Sequence, residues 1–418
     1  MAATRRSARD GMARGAFRSL RVFNYRLWAV GSLVSNVGAW MQRTAQDWLV
    51  LTALTPHSGT AVGVVMGLQF GPQLLLLPWS GYAADRFDRR KLLIVTQAAS
   101  GVLALALGLL VVAGLVQLWQ VYVLALLSGC VNAIDMPARQ TFVADLVGDE
   151  DLSNAVALNS MTINLAQMVG PAVAGVMIAA VGAGWAFLIN AASFGAVLAS
   201  LGFLRVAELH QSARAGRARG SLVEGLRYVR SRPDLKAMLW MLLLIGALGL
   251  NFPIFISTMS VKVFHGGAGQ YGLLTSVMAV GTLAGALLAA AREKPRFELL
   301  LAGAAIFAIG FAFAAIAPNA WLFGVALAVI GVSTLTFTNS TSSLMQLTTA
   351  PEMRGRVMAL RLAIGLGATP IGAPFVGWVA DAFGPRWALA VAAAAGASAA
   401  IFALIYLVRR RRANPLAP

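Results

Sequence analysis

Asn36, Trp40, Arg43 and Asp47 are spaced four, three and four residues apart inside a long apolar run, so on a helix they share one face. Arg43 and Asp47 are the one pair of opposite charges well inside any such run. If the run crosses a bilayer, each charge costs about 2.5–3.5 kcal/mol on insertion scales, so it is kept for a function or held by a partner. Asp47 lies deeper in its run than Asp135 or Asp381, which sit near run ends. A deep carboxylate can take up and release a proton, and Arg43 opposes that protonation while the two charges stay close. The same spacing also suits a structural ion pair that only packs the helix.

The element carrying these residues is one of twelve apolar runs, the first at 27–53 and the last at 387–408. Each has about the 20 residues that a helical crossing needs. Composition agrees: 59% of the chain is hydrophobic and 12% charged, against about a quarter charged in soluble domains. A soluble fold of this length would lack the residues to build a polar surface. The expected organisation is a basic cytoplasmic segment at 1–26, a six-helix bundle at 27–204, a cytoplasmic linker at 205–234, a second six-helix bundle at 235–408 and a cytoplasmic tail at 409–418. Within the linker, Leu222, Leu226 and Val229 have helical spacing, which suits either a helix on the membrane surface or a solvated connection.

The net charge of +17 would suit nucleic acid if it formed one patch, but its distribution follows the membrane. Seven Arg precede the first run, and Arg86, Arg89, Arg90 and Lys91 follow the second. Arg139 follows the fourth, and eight basic residues lie from Arg205 to Lys236. The remaining clusters are Arg292 to Arg296, Arg354 to Arg361, and Arg409 to Arg412. The intervening loops hold only Lys262 and Arg386. Alternation of this kind is the positive-inside pattern, which places both termini in the cytoplasm and makes the bilayer the partner, with no nucleic acid.

The halves repeat. A shift of 202 residues pairs Gly170 with Gly372, Gly175 with Gly377, Gly182 with Gly384 and Trp185 with Trp387. Six spans preserve orientation, so the repeats are parallel, and such proteins bind their cargo near the midplane between the halves. Nothing points to an enzyme or a cofactor. His57, His210 and His265 are scattered in loops, so no metal site is expected. No glycine-rich loop ending in Lys-Ser/Thr is present to cradle ATP. Cys130 is the single cysteine, which excludes an internal disulfide.

The connection after the second run reads Gly81-Tyr-Ala-Ala-Asp85-Arg86-Phe-Asp88-Arg89-Arg90-Lys91. It resembles the loop signature of the major facilitator superfamily, with Asp88 where a second glycine is usual. Asn24-Tyr-Arg26-Leu-Trp28, Gly38-Ala-Trp40-Met-Gln42, Asp135-Met-Pro-Ala-Arg139-Gln140 and Arg354-Gly355-Arg356 leading to Pro370-Ile-Gly372 resemble its enterobactin-exporter-like branch of drug:proton antiporters. Gly170-Pro171-Ala-Val-Ala174-Gly175 is similar to the antiporter signature of exporters, with Ala174 replacing one glycine, and Pro370 and Gly372 are its symmetric counterpart.

The resemblance implies an all-α polytopic fold of twelve transmembrane helices in two parallel six-helix pseudo-repeats, in a bacterial plasma membrane and monomeric. It implies a cytoplasmic gate built from Gly81, Asp85, Arg86, Arg89, Arg90, Asp135, Arg139, Arg354 and Arg356. In that gate Asp85 docks on the eleventh helix and Arg89 pairs with Asp135 to hold an outward-open state. The expected function is proton-coupled efflux of amphipathic small molecules by alternating access, with Asn36, Trp40, Arg43 and Asp47 on the substrate and proton pathway. Export or import of a siderophore or other metabolite is the near alternative. A non-transporting receptor or scaffold would not need a buried Arg43 and Asp47.

Overall fold

The computed structural model describes residues 15, 17–77, 79–80, 86–210, 222–290 and 296–413. Helix α1 spans Phe23–Leu49 and continues through a π-helical turn, Val50–Leu54. It is followed by α2 (Gly59–Leu75) and α3 (Arg89–Val112). The run Leu118–Val181 is two helices, α4 and α5, broken at Gly148, whose φ is 69°. Helix α6 (Ala183–Gly202) closes the first half. A short helix, Leu222–Ser231, lies in the linker.

The second half contains α7 (Pro233–Val263), α8 (Ala268–Ala290), α9 (Phe297–Ile316), α10 (Ala320–Thr348), α11 (Pro351–Ala382) and α12 (Pro385–Ala413). Nine described stretches are long and apolar enough to cross a membrane. One of them, Leu118–Val181, crosses twice, and α1 and α2 complete the twelve. The polar face of α1 and the 17 residues of α2 set those two apart.

Local chemistry explains the boundaries. Ser58 caps α2 by accepting from the Ala61 amide, and Asn319 caps α10 by accepting from Leu322. Asp88 caps α3 by accepting from the Lys91 amide at 2.9 Å. The residue that departs from the loop signature therefore supplies one of the acceptors a helix N-terminus lacks. Pro233, Pro351 and Pro385 open α7, α11 and α12, where a missing N–H costs nothing.

The repeat seen at an offset of 202 is a repeat of packing. Gly182 and Gly384 turn the chain into α6 and α12 with φ of 89° and 100°, a region that favours glycine. A Cβ on Gly170 would lie 2.6 Å from Trp40 Cβ of α1, and one on Gly372 would lie 1.7 Å from the Ala247 carbonyl oxygen of α7. Likewise Gly175 abuts Gly272 of α8, and Gly377 abuts Gly59 of α2. These contacts make α5 with α8, and α2 with α11, the interface between the halves. In lipid no hydrophobic force brings helices together, so close approach of small residues does it.

Sequence reasoning missed one side of this interface. Gly59, Gly63 and Gly67 recur every four residues on α2 and face Gly377, Ala373 and Pro370. Large apolar side chains such as Trp321, Ile371 and Ile309 stand exposed, as a surface against acyl chains requires.

At the end that carries the Arg-rich loops, the Asn24–Trp28 motif is a clamp. Asn24 Nδ2 donates to the Arg205 carbonyl at 3.0 Å, and Asn24 Oδ1 accepts from the Arg205 amide at 2.9 Å. Tyr25 Oη donates to the Ala155 carbonyl, and Trp28 meets Phe142 edge to face. The linker helix packs inward, with Val229 buried and Glu224 2.9 Å from Arg356 Nη2.

Candidate functional site

Trp40, Arg43 and Asp47 of the α1 stripe line a cavity between the halves, and Asn36 lines a second cavity beside it. Arg43 stacks over Trp40 with Cζ 5.0 Å from the ring centroid. Asp47 is buried, at 7% exposure. The two do not form the ion pair that their spacing allows, because no Arg43 nitrogen lies within 4.0 Å of an Asp47 oxygen. Asp47 turns instead to the other half, where Tyr271 Oη of α8 donates to Asp47 Oδ2 at 3.2 Å. The Tyr271 ring also stacks on Trp48 at 6.0 Å. Tyr271 was not singled out in the sequence, where nothing marks it as the residue 224 positions away that meets Asp47.

The cavity between the halves holds about 190 Å³. Its lining includes the polar Arg43, Asp47, Gln69 and Tyr271 and the apolar Leu250, Phe252, Pro253, Ile256 and Met278. A second cavity, about 280 Å³, is lined by the first half alone and shares Trp40, Arg43, Gln69 and Phe70 with the first. Ten of its lining side chains are Asn or Gln, Asn36 among them, which makes it a hydrogen-bonding space rather than an apolar one. It runs from Arg43 to Asp135, Arg139 and Gln140 toward the Arg-rich end. Thr338 and Thr341 donate to carbonyls one turn back in their own helix.

In this conformation the gate residues have partners other than those implied for the outward-open state. Arg89 does not pair with Asp135; its Nη1 lies 2.7 Å from Asp145 Oδ1. Asp135 accepts from Thr96 Oγ1 at 2.6 Å, Gln97 Nε2 at 2.7 Å and Arg139 Nε at 3.2 Å. Arg139 sits one helical turn from Asp135 and reaches it first, while Asp145 lies nearer the helix end where Arg89 starts α3. Arg90 donates to the Leu201 carbonyl. These bonds of Arg89, Arg90 and Asp135 all stay within the first half. Arg356 binds the linker helix through Glu224, and Arg354 is exposed. Gly81 and Asp85 lie outside the described residues.

At the opposite end a cross-half contact is present that sequence reasoning passed over. Asp381, in the last turn of α11, receives five hydrogen bonds. Oδ1 accepts from the Gly59 amide at 2.7 Å and Lys262 Nζ at 3.0 Å. Oδ2 accepts from Ser58 Oγ at 2.8 Å, the Thr60 amide at 2.9 Å and Thr60 Oγ1 at 2.7 Å. A carboxylate of the second half thus caps the N-terminus of α2 in the first, where the helix dipole favours negative charge. The one signal was that Lys262 is a rare base in its set of loops. With the packing of Gly59 on Gly377 and Gly175 on Gly272, this clasp closes the end opposite the Arg-rich loops.

Residues 14–418 match the transmembrane secretion effector family. Among curated proteins, the chain is similar to the staphyloferrin A transporter of Staphylococcus aureus, 25% identical over 84% of this chain and 88% of that one. It is also similar to the enterobactin exporter EntS of Shigella flexneri, 26% identical over 86% of each chain. The multidrug efflux pump Tap of Mycolicibacterium fortuitum is 27% identical over 84% of this chain and 88% of that one. In fold it resembles a bacterial homologue of the human lysosomal transporter Spinster in its inward-facing and occupied conformation. That likeness has a TM-score of 0.73 and 15% identity, and covers 92% of this chain and 96% of that one. The D-xylose-proton symporter aligns with a TM-score of 0.69 and 16% identity, over 91% of this chain and 97% of that one.

Proposed function

This chain belongs to the transmembrane secretion effector family of the major facilitator superfamily, and we propose that it exports amphipathic small molecules from a bacterial cell in exchange for protons. It is a membrane transporter and not an enzyme. The observation that carries the coupling is the hydrogen bond from Tyr271 of one half to the buried Asp47 of the other. A bond to a charged acceptor is worth about 1.5–3 kcal/mol and a neutral one about 0.5–1.5. Protonating Asp47 thus weakens the tie between the halves by about 1.5 kcal/mol, roughly a tenfold change in the balance of conformations.

In this reading the Arg-rich end faces the cytoplasm, and the clasped end faces out. The conformation at hand therefore loads from the cytoplasm, through the amide-lined cavity, with Asp47 ionised and held by Tyr271. After the halves rock and the substrate leaves outward, Asp47 takes a proton from the outer medium. The protonated carrier returns and releases that proton to the cytoplasm. The similarity to named exporters supports the outward direction. The mixed lining, with amides and charges together with Leu250, Phe252 and Ile256, supports an amphipathic cargo.

The test uses proteoliposomes carrying an imposed pH gradient, with ethidium and an amphipathic carboxylate dye as probes. Wild-type protein is expected to move a probe uphill. Asp47→Asn is expected to lose uphill movement while downhill exchange persists. An Asp47→Asn protein that still pumps at the wild-type rate makes Asp47 structural and overturns the coupling. Cysteines placed at 205–234 are expected to react from the cytoplasmic side only, and labelling from outside reverses the orientation.

A further inference from the structure

We infer that the cavity between the halves is a site for a zwitterionic amphiphile, a molecule with a carboxylate, a nearby ammonium and an apolar tail. The inference rests on the exporter reading above and names its substrate class. Three observations carry it. Arg43 and Asp47 line one cavity without an N···O contact within 4.0 Å, although as neighbours four residues apart on a helix their Cβ atoms lie about 6 Å from each other. Arg43 has an aromatic partner in Trp40 and, among the described residues, no acid oxygen within 4.0 Å. Asp47 has one oxygen on Tyr271, and Oδ1 accepts no hydrogen bond among the described residues.

Charge balance selects the ligand. Empty, the pair is neutral as a unit. A simple cation would place a second positive charge beside Arg43, and a simple anion a second negative charge beside Asp47. Either leaves uncompensated charge in a space walled by low-dielectric protein and lipid, where it is costly. A zwitterion answers both charges and adds none. Its carboxylate meets the guanidinium in the geometry arginine favours, and its ammonium meets Asp47 Oδ1.

The second observation is independent of the pair. Gln46 is 3% exposed, lines the adjoining cavity on the same helix as Arg43, and its Nε2 has no hydrogen-bond partner. A buried amide donor left open about one helical turn from Arg43, in a cavity both residues line, is a further group for a carboxylate, since an unmade buried bond costs about 1–3 kcal/mol. The third is the apolar lining that α7 contributes, Leu250, Phe252, Pro253 and Ile256, which receives the tail. An ammonium on Asp47 also competes with the proton for the same carboxylate, which is what exchange of substrate for proton requires.

The experiment compares four ligands with one tail: 2-aminooctanoate, octanoate, octylamine and octanol. Their binding to the full chain in nanodiscs is read by the fluorescence of its tryptophans and checked by counterflow of labelled 2-aminooctanoate in proteoliposomes. The zwitterion is expected to bind at least about tenfold tighter than either singly charged ligand, as one charge-assisted bond is worth about that factor or more. Arg43→Gln should bring 2-aminooctanoate down to octylamine, and Asp47→Asn should bring it down to octanoate. Arg43→Lys, which keeps the charge, should retain part of the preference and shows that lost binding is not lost folding.

Absence of discrimination among the four, including no binding of any, overturns the site. So does a preference for the zwitterion that survives in both Arg43→Gln and Asp47→Asn. Amphiphile export driven by a pH gradient without charge discrimination overturns this inference and leaves the exporter reading standing. Discrimination without proton-driven export does the reverse.

Discussion

Helices α5 and α11 do the same work in the two halves, whereas α1 and α7 do not. Gly170 and Gly372 let α5 and α11 lie against α1 and α7, and Gly175 and Gly377 carry them across to the other half. Facing the central cavity, however, α1 offers Trp40, Arg43, Thr44 and Asp47, while α7 offers Leu250, Phe252, Pro253 and Ile256. The frame is duplicated and the chemistry is not. Alternating access needs two bodies of like shape that rock about a shared site. It does not need both to hold charge, and each buried charge has a cost in lipid. Gathering the charged groups on one half leaves the other free to move past them; among the described residues, Tyr271 makes the one hydrogen bond from the second half to this stripe.

The largest effect is expected where the duplicated frame is tightest. Gly372→Leu would drive a side chain into the Ala247 backbone, and Gly170→Leu into Trp40 and Met41. Overpacking at such contacts costs about 1–3 kcal/mol or more. Both variants are expected to lose most of the monodisperse protein on size exclusion, the α11 variant more severely. If one collapses and the other purifies normally, the two helices are not equivalent.

The next effect lies in the clasp between halves. Asp381→Asn removes the charge that gathers Ser58, Gly59, Thr60 and Lys262. The population open at that end, read by spin-label distances across it, is expected to rise at least about fivefold, from a partly exposed set of charge-assisted bonds. An unchanged distribution would mean that the glycine contacts alone hold the end shut.

The smallest effect is internal to the first half. Arg89→Gln and Asp145→Asn are each expected to lower thermal stability by about 1–2 kcal/mol, and the double variant by less than their sum. Arg89→Gln and Asp135→Asn should instead be additive. Coupling of Arg89 to Asp135 in place of Asp145 would restore the gate that the loop signature implies.

What could be read in advance follows from the range of the interactions. The α1 stripe was legible because helical spacing alone puts Asn36, Trp40, Arg43 and Asp47 on one face. The repeat was legible because Gly and Trp recur at one offset, and both turns need the same backbone at Gly182 and Gly384. Partners were not legible. Asp145 lies 56 residues from Arg89, Asp381 lies 322 from Gly59, and Tyr271 lies 224 from Asp47. Spacing says nothing about such distances, and a lone Tyr or Asp near a helix end carries no mark of what it will meet. The glycines of α2 were visible at a period of four, but their meaning needed α11 beside them. The amide-lined cavity is not legible in advance because its ten amides come from all six helices of the first half, one to three from each.

The account turns on Asp47 exchanging a proton for substrate, and proton release on binding measures that directly. 2-Aminooctanoate is added to the purified protein in a lightly buffered solution, and the pH change is followed between about pH 5 and pH 8. Wild-type protein is predicted to release protons as the ligand binds, because the ligand's ammonium takes the Asp47 oxygen that holds the proton. Asp47→Asn is predicted to release none. Binding accompanied by proton uptake, or by release that persists in Asp47→Asn, would contradict the account.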